Sequence, residues 1–496
     1  MSNSLSDRAG FLIVANLVKY AVGFIMPMVL VRLLTQSDYG SYQQMILISG
    51  AAIGILTLGL PSSIYYFYHF VAPRALPALV AQTTVMLLAA GAVATLVVLY
   101  GAAYFASTLG NPGIVGLLQI YALSLVLMIG SEHCLHFMIS QNRYGLAVAF
   151  EIIETVVRVV TLLIPLALGY GLTGLIVGVV AYAALRFIAR NWYLLRSSGL
   201  QFAGWRQHLF VREQLLYSMP TALVTLSAII GSTLNRGMLA SSFTPAQYAI
   251  YSVGALEIPL DVIFQASVAN VLRASLPPLV RDGNLAEVVR LMRESVRKLS
   301  TIVLPSFVFL LAHSLEFVTL LFTSRYAESV YVFRIYLWLV PLHMLVLSPI
   351  PQVFGKPKLN FYIVFVMTGV LVVLGFVLLK TVGFYGPALA SVITQYIQVI
   401  VYFVYVCRLT HASVAQLMPG MHFVRVLLAA LAGLVASYLL AYVGWGSALV
   451  RLVVEGIGFS LVFFAAALPL KVFSAQDLAL MRRWALRLVP AAGGSR

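Results

Sequence analysis

The sequence predicts an all-α integral membrane protein of about fourteen transmembrane helices, with two six-helix lobes in parallel repeat around a central cavity and two further C-terminal helices. Three observations carry this. The 496 residues are 61% hydrophobic and 9% charged, against about 25% charged in soluble domains. Runs such as GAVATLVVLYGAAYFA and GVLVVLGFVLL hold no charge, and a helix of about 20 mostly apolar residues spans a bilayer. Two short links recur at nearly one offset in the two halves of the chain. The alternating segments of about 10 residues that mark a transmembrane barrel are not seen.

Gly, Pro and charge divide the apolar runs into spans at 10–34, 42–68, 77–108, 113–139, 145–169, 171–196, 213–240, 248–272, 299–322, 330–353, 359–380, 384–407, 423–443 and 447–470. The start, MSNSLSDRAG, leads into an apolar run longer than a signal-peptide core, without a small-residue cleavage site, so the first span is read as uncleaved. The links alternate in charge. One set carries Arg74, Arg143, Arg196 with Arg206 and Arg212, the run from Arg281 to Lys298, Lys356 with Lys358, and Arg408 with Arg425. The other set (STLGNPG, GYG, ASSFTPAQ, VGWGS) is nearly bare, with Arg32, Asp38, Arg325 and Lys380 as its exceptions. The positive-inside rule places the charged set, and both termini, in the cytoplasm. The net charge of +16 is then topology, and a nucleic-acid partner is not expected.

Two charged segments are amphipathic. NLAEVVRLMRESVRKL sets Leu285, Val288, Val289, Met292 and Val296 at helical spacing, with Asn284 and Glu287 as a capping pair. The tail SAQDLALMRRWALRLV offers Arg482, Arg483 and Arg487 to anionic headgroups. For each, a helix in the membrane interface and a helix packed on loops are both open. Cys134 and Cys407 lie in separate apolar runs and read as small buried side chains, not as a disulfide or metal ligands.

The repeat comes from TQSDYGSY and TPAQYAIY, which match at Thr35, Tyr39 and Tyr42 and at Thr244, Tyr248 and Tyr251, an offset of 209 residues. GLTG from Gly171 and GFYG from Gly383 match at an offset of 212. The first link joins spans one and two, and seven and eight; the second joins five and six, and eleven and twelve. Six spans is an even number, so the halves share one orientation, related by an axis along the membrane normal. This sets 1–200 as the N-terminal lobe, 201–412 as the C-terminal lobe, and 413–496 as the last two helices with the cytoplasmic amphipathic tail. Two parallel lobes imply a cleft between them and transport by alternating access.

VRLLTQSDYGSYQQ, followed by TLGLPSSIYYF, resembles the opening of Wzx-type polysaccharide flippases, in the multidrug/oligosaccharidyl-lipid/polysaccharide exporter superfamily. YSMPTALVTLSAIIGSTLNRGMLASSFTPAQYAIYSVGA, VLRASLPPLVRDGNLAEVVRLMRESVRKLS with LLFTSRYAESVYVFRIY, and GKPKLNFYIVFVMTG with VGFYGPALASVIT fit the same pattern in order. The resemblance covers most of residues 10–410 and rests on order, spacing and topology. It implies translocation of a polyprenyl-pyrophosphate-linked oligosaccharide unit to the outer face of a bacterial inner membrane. The product would be a surface polysaccharide such as O-antigen, lipopolysaccharide or exopolysaccharide. It implies no enzymatic step and no cofactor, with H⁺ or Na⁺ coupling open. Partners would be the lipid-linked oligosaccharide, membrane lipids and other polysaccharide assembly proteins. The seventh span departs from the pattern: where such proteins often carry an acid near its outer end, this one reads TLNRG, with Asn235 and Arg236. A multidrug or metabolite antiporter of the same superfamily is the first alternative; its cavity would favour acids. A membrane polymerase or glycosyltransferase is the second, disfavoured by short, acid-poor outer links and the lack of a nucleotide-binding motif.

A charge at the bilayer centre costs roughly 2.5–3.5 kcal/mol on insertion scales, so each one is a candidate for function. Arg158 lies near the middle of the fifth span, read as a cavity cation or as the partner of Glu154 one turn earlier. Lys19 lies within the first span, a turn after Asn16. Ser218, Thr221, Thr225, Ser232 and Arg236 share one face of the seventh span and read as a water-lined stripe. A pyrophosphate needs such cations and hydroxyls, and Arg can bind a phosphate through two parallel bonds. The acids are ion-coupling candidates: Glu257 and Asp261, one turn apart on the eighth span, and Glu151 and Glu154 on the fifth. Close carboxylates in a dry site compete for protons or share a cation; charge pairing is the alternative.

Glu132, His133 and His136 read as a polar helix end, not a metal site. His313 with Glu316, and Arg451 with Glu455, fit local helix pairs, and Arg32 reads as structural. The tyrosines of SSIYYFYHF read as an interface belt, with sugar stacking open for any that faces a cavity.

Overall fold

A computed structural model describes residues 5–198, 211–443, 446–474 and 477–479, and these are all-α, with no strand among them. Among the described residues nine helical segments are long and apolar enough to cross a membrane. The protein is therefore a multi-pass membrane protein. Pro357–Thr410 takes in two of the fourteen predicted spans. The helix over the fifth predicted span is long enough but carries Glu151, Glu154 and Arg158.

The chain divides by packing into two units. The first runs to Pro259 and includes Lys358–Thr394; the second holds Leu260–Pro357 and the chain from Gln395. This groups helices by contact, where the lobes expected from the sequence, 1–200 and 201–412, group them by the internal match.

In the first unit the helices are α1 (Leu5–Leu33), α2 (Gln36–Leu56), α3 (Leu60–Phe70), α4 (Leu76–Thr108), α5 (Val115–Ile129), α6 (Cys134–Ser140), α7 (Tyr144–Ala167), α8 (Gly171–Ser198), α9 (Val211–Ser242) and α10 (Pro245–Gly254). Two predicted spans are broken. Span 42–68 turns between α2 and α3, where Leu58 and Gly59 take positive φ and Pro61 opens the next helix. Span 113–139 turns between α5 and α6, where Ser131, Glu132 and Cys134 make i→i−3 bonds. Such tight turns inside a span need polar neighbours for the backbone groups they free. The apolar core under α3, α4 and α6 includes Ile64, Phe67, Leu79, Val80, Phe137 and Met138, with Cys134 buried among them. Both cysteines are free.

The repeated links take matching structures. Thr35 and Thr244 each cap the helix that follows, accepting from the amides of Asp38 and Gln247. Tyr39, Tyr42, Tyr248 and Tyr251 are all buried. Gly171 and Gly383 both take positive φ. α10 packs on α2, and a Cβ on Gly40 would overlap the Pro245 carbonyl. Gly40→Ala is therefore expected to destabilise the protein by about 1–3 kcal/mol, the usual cost of overpacking. Thermal unfolding of the purified protein in detergent checks this.

The second unit contains α11 (Pro259–Arg281), α12 (Leu285–Ala312), α13 (Ser314–Phe322), α14 (Ser329–Leu337), α15 (Ile350–Val353), the C-terminal part of α17 (Gly386–Thr410), α18 (Val414–Leu417), α19 (Gly420–Ala441) and α20 (Ala448–Ala467), while α16 (Pro357–Val382) belongs almost wholly to the first unit. Span 248–272 breaks at residues 255–258, before Pro259, and span 330–353 breaks between α14 and α15. The segment from Leu285 is not a separate piece: nothing between Lys298 and Leu299 stops the helix, and α12 runs on to Ala312. Asn284 caps it by accepting from the Glu287 amide, as the capping pair predicts. Its apolar face (Val288, Met292, Val296) is buried, and the helix packs on α18 and α19.

α19 and α20 pair closely because Ala429, Ala430 and Gly433 face them together, small residues that let membrane helices approach. Beyond α20, Arg297 of α12 holds Asp477 at 2.8 Å. Burial pushes the Asp477 pKa up, but hydrogen bonds from Arg297 and Ser474 outweigh it and hold the carboxyl at about 2. The tail with Arg482, Arg483 and Arg487, and Arg206, lie outside the described residues.

Candidate functional site

The first unit encloses a cavity of about 680 Å³. Its walls come from α1, α2, α3, α5, α6, α7 and α8, and it is unusually charged for the interior of a membrane protein. Lys19, Glu132, Glu151, Glu154, Arg158, Arg186 and Arg190 all line it, with Tyr39, Tyr42, Tyr65, Tyr121, Tyr182 and His136. Helical spacing explains the grouping. Glu151, Glu154, Thr155, Arg158 and Leu162 recur every three or four residues along α7. Tyr182, Arg186 and Arg190 recur every four along α8.

Three of the four cations are matched by carboxylates. Arg190 donates Nε and Nη2 to the two oxygens of Glu154, each at 2.7 Å, in a bidentate fork. Its Nη1 donates to the Ser131 carbonyl at 3.2 Å. That carbonyl belongs to the turn between α5 and α6, so Arg190 serves both the buried acid and the backbone that the turn leaves short of partners. Arg186 donates to Glu132 at 2.5 Å and lies 3.8 Å from Glu154. Lys19 stands 3.8 Å from Glu151 with its side chain 66% exposed, a loose pair.

Arg158 is different. Among the described residues no carboxylate lies within ion-pair distance of it, and its charge acts on the buried Tyr42 and Tyr121 hydroxyls. The Tyr42 neighbour Tyr121 is held by Ser49 at 3.2 Å. The cavity thus presents one guanidinium without a counter-charge, beside phenol hydroxyls, in a wall whose other charges cancel. An anion of modest charge is what such a site can hold.

The sequence profile of the polysaccharide biosynthesis protein family matches residues 29–331. The chain belongs to that family. No curated protein sequence matches it. Among solved structures it is similar to the lipid II flippase MurJ in an inward closed conformation, at 14% identity over 91% of this chain and 98% of that one, with a TM-score of 0.66. It is also similar to an inward-facing multidrug resistance MATE family transporter of the MOP superfamily, at 14% identity over 80% and 96%, TM-score 0.61. An outward-facing MATE transporter gives 14% over 81% and 94%, TM-score 0.57. At these identities the likeness is one of fold: that of MurJ and MATE transporters.

In this polysaccharide biosynthesis protein the cavity brings together four of the candidate binding and coupling residues, Lys19, Glu151, Glu154 and Arg158. Glu154 pairs with Arg190, not with Arg158 one turn along its own helix, because Arg190 reaches it from α8 with a full fork. The stripe on α9 does not line this cavity. Ser218 is buried, Thr225 and Arg236 are exposed, and Ser232 bonds the Ile229 carbonyl of its own helix. The Thr221 and Asp261 side chains, with that of Asn16, lie outside the described residues. Asn235 donates to the Pro387 carbonyl and to Ser391, a structural tie.

Glu257 is not on a helix: it sits in the break at residues 255–258 that ends at Pro259, a proline that disfavours helical backbone at Ile258 just before it. The expected one-turn spacing of Glu257 and Asp261 on one helix is therefore lost. His133 is buried against Thr84 at 2.9 Å, while Glu132 and His136 face the cavity. Of the SSIYYFYHF tyrosines, Tyr65 lines the cavity and packs on the His136 ring at 4.9 Å. Arg186 and Arg190 escaped the sequence reading. The signal was present as Tyr182, Arg186 and Arg190 on one face of an apolar helix, but basic residues near the cytoplasmic end of a span already had an explanation in topology.

Proposed function

We propose that this protein is a flippase. It would carry a polyprenyl-pyrophosphate-linked oligosaccharide unit from the cytoplasmic to the outer face of a bacterial inner membrane, for surface polysaccharide synthesis. The observation that carries the reading is Arg158, an uncompensated guanidinium on a membrane-embedded cavity wall in a chain of this family. A lipid-linked sugar is an anion at one end and a set of hydroxyls at the other. Arg158 and Tyr42 suit the first; the Tyr65 ring suits the second. The protein performs no bond chemistry in this reading. The repeat lobes 1–200 and 201–412 move against each other in alternating access, with both termini cytoplasmic. Coupling to H⁺ or Na⁺ belongs to the same reading, with Glu151, Glu154, Glu257 and Asp261 as the groups proposed from sequence.

A multidrug antiporter would use acids to hold organic cations. In the cavity every acid is already opposed by a cation, which favours the flippase. The test is a strain lacking the gene, from which surface polysaccharide and lipid-linked sugars are extracted together. Loss of the polymer, with single lipid-linked units trapped on the cytoplasmic face, is the expected result. Normal polymer without trapped units would sink the reading for that sugar.

A further inference from the structure

The second unit buries a pair of ionisable groups that the flippase reading does not use. Glu455, inside α20, is 2% exposed at its side chain, and His313, at the junction of α12 and α13, is 4% exposed. The sequence suggests Glu316 as the partner of His313; the structure instead places His313 Nδ1 3.3 Å from Glu455 Oε2. That oxygen accepts no hydrogen bond among the described residues. On the far side of the ring, Ser437 Oγ of α19 lies 2.9 Å from Nε2 and can donate or accept. Arg451, one turn before Glu455, stands 3.8 Å from its other oxygen and is 41% exposed. The remaining neighbours are few. Glu316 acts on His313 from α13, Tyr438 of α19 packs at 5.4 Å from its ring, and Arg334 of α14 is held by Ser314 at 2.6 Å.

A buried carboxylate with an unfilled oxygen is costly, and breaking such a pair costs more than exposed pairs do. A proton added between Nδ1 and Oε2 converts this arrangement into a charge-assisted bond, or into a neutral acid donating to a neutral imidazole. Ser437 satisfies Nε2 in either tautomer. Arg451, 41% exposed, links the pair to solvent.

We propose that His313 and Glu455 form a proton-binding site, reached past Arg451, whose occupancy couples a proton to the conformational cycle of this protein. The proton comes from water and goes to one of the two facing atoms; no other group changes bonding. The site joins α12 to α19 and α20, the helices outside the sequence repeat, so its occupancy acts through them. The coupling half rests on the transport reading above; proton binding does not.

The test uses the full chain in liposomes. Infrared difference spectra between acid and neutral pH are expected to show a protonation signal in the wild type that is lost in both Glu455→Gln and His313→Gln. An identical difference spectrum in wild type and both variants would overturn the site. Flipping of a polyprenyl-pyrophosphate-linked hexose is then measured with and without a pH gradient. The gradient is expected to change the wild-type rate and to leave the rate of either variant unchanged; equal stimulation in all three overturns the coupling. If the wild type moves no lipid-linked hexose while the spectral signal persists, the flippase reading fails and the proton site stands. Where Glu455→Gln does not fold, His313→Gln removes the same proton position and carries the test alone.

Discussion

Arg158→Ala is expected to block export of the lipid-linked sugar while leaving the amount of protein in the membrane unchanged. The two halves of this expectation have separate causes. Stability is spared because Arg158 balances no buried acid: Glu154 is held by Arg190, Glu132 by Arg186, and Glu151 by Lys19. Export is lost because, among the described residues, the one cavity cation with no carboxylate in ion-pair distance is gone. A hydrogen bond to a charged group contributes about 1.5–3 kcal/mol, so loss of one such bond corresponds to binding weaker by about 10- to 150-fold. Arg158→Lys keeps the charge but not the planar fork, so it should fall between the two. Lys19→Ala should do less, since Lys19 is mostly exposed and only loosely paired. Trapped lipid-linked units, scored beside immunoblots of the membrane fraction, check all three. Normal export by Arg158→Ala would remove Arg158 from the binding site.

These expectations rest on features that differ in how far the sequence shows them. The all-α membrane class is local information, written in uncharged runs. The paired links are local too: Thr35 and Thr244 cap their helices through side chains a few residues away. A charge in mid-span has few explanations, which is why Arg158, Glu151 and Glu154 could be found by position alone. Arg186 and Arg190 could not, since a basic residue toward the cytoplasmic end of a span satisfies topology whether or not it turns inward. The α9 stripe shows the converse problem. Ser and Thr can bond their own helix, as Ser232 does, so a polar face in a membrane helix does not distinguish a cavity from a neighbour or from lipid. The breaks are harder still. Pro259 hints at one, but the turn between α5 and α6 is held by long-range contacts such as Arg190 to Ser131, and no local pattern encodes a partner 59 residues away.

That same contact gives the largest effect on stability. Arg190→Leu is expected to destabilise the first unit by about 3–5 kcal/mol, because it leaves the Glu154 carboxylate buried without its partner. Most of the protein should then be missing from the membrane. Glu154→Leu alone should cost less, since the freed guanidinium keeps the Ser131 carbonyl and can turn toward Glu132, already opposed by Arg186. The double substitution removes both charges together and should recover most of the loss, because an apolar pair of similar volume replaces a buried ion pair at little cost. Thermal unfolding of the four proteins gives the coupling energy directly. Recovery of stability in the double variant, with export still impaired, would mean that the pair also shapes the cavity wall by holding the α5–α6 turn. Recovery of both would make it a structural strut, and would leave Arg158 to act without help from α8.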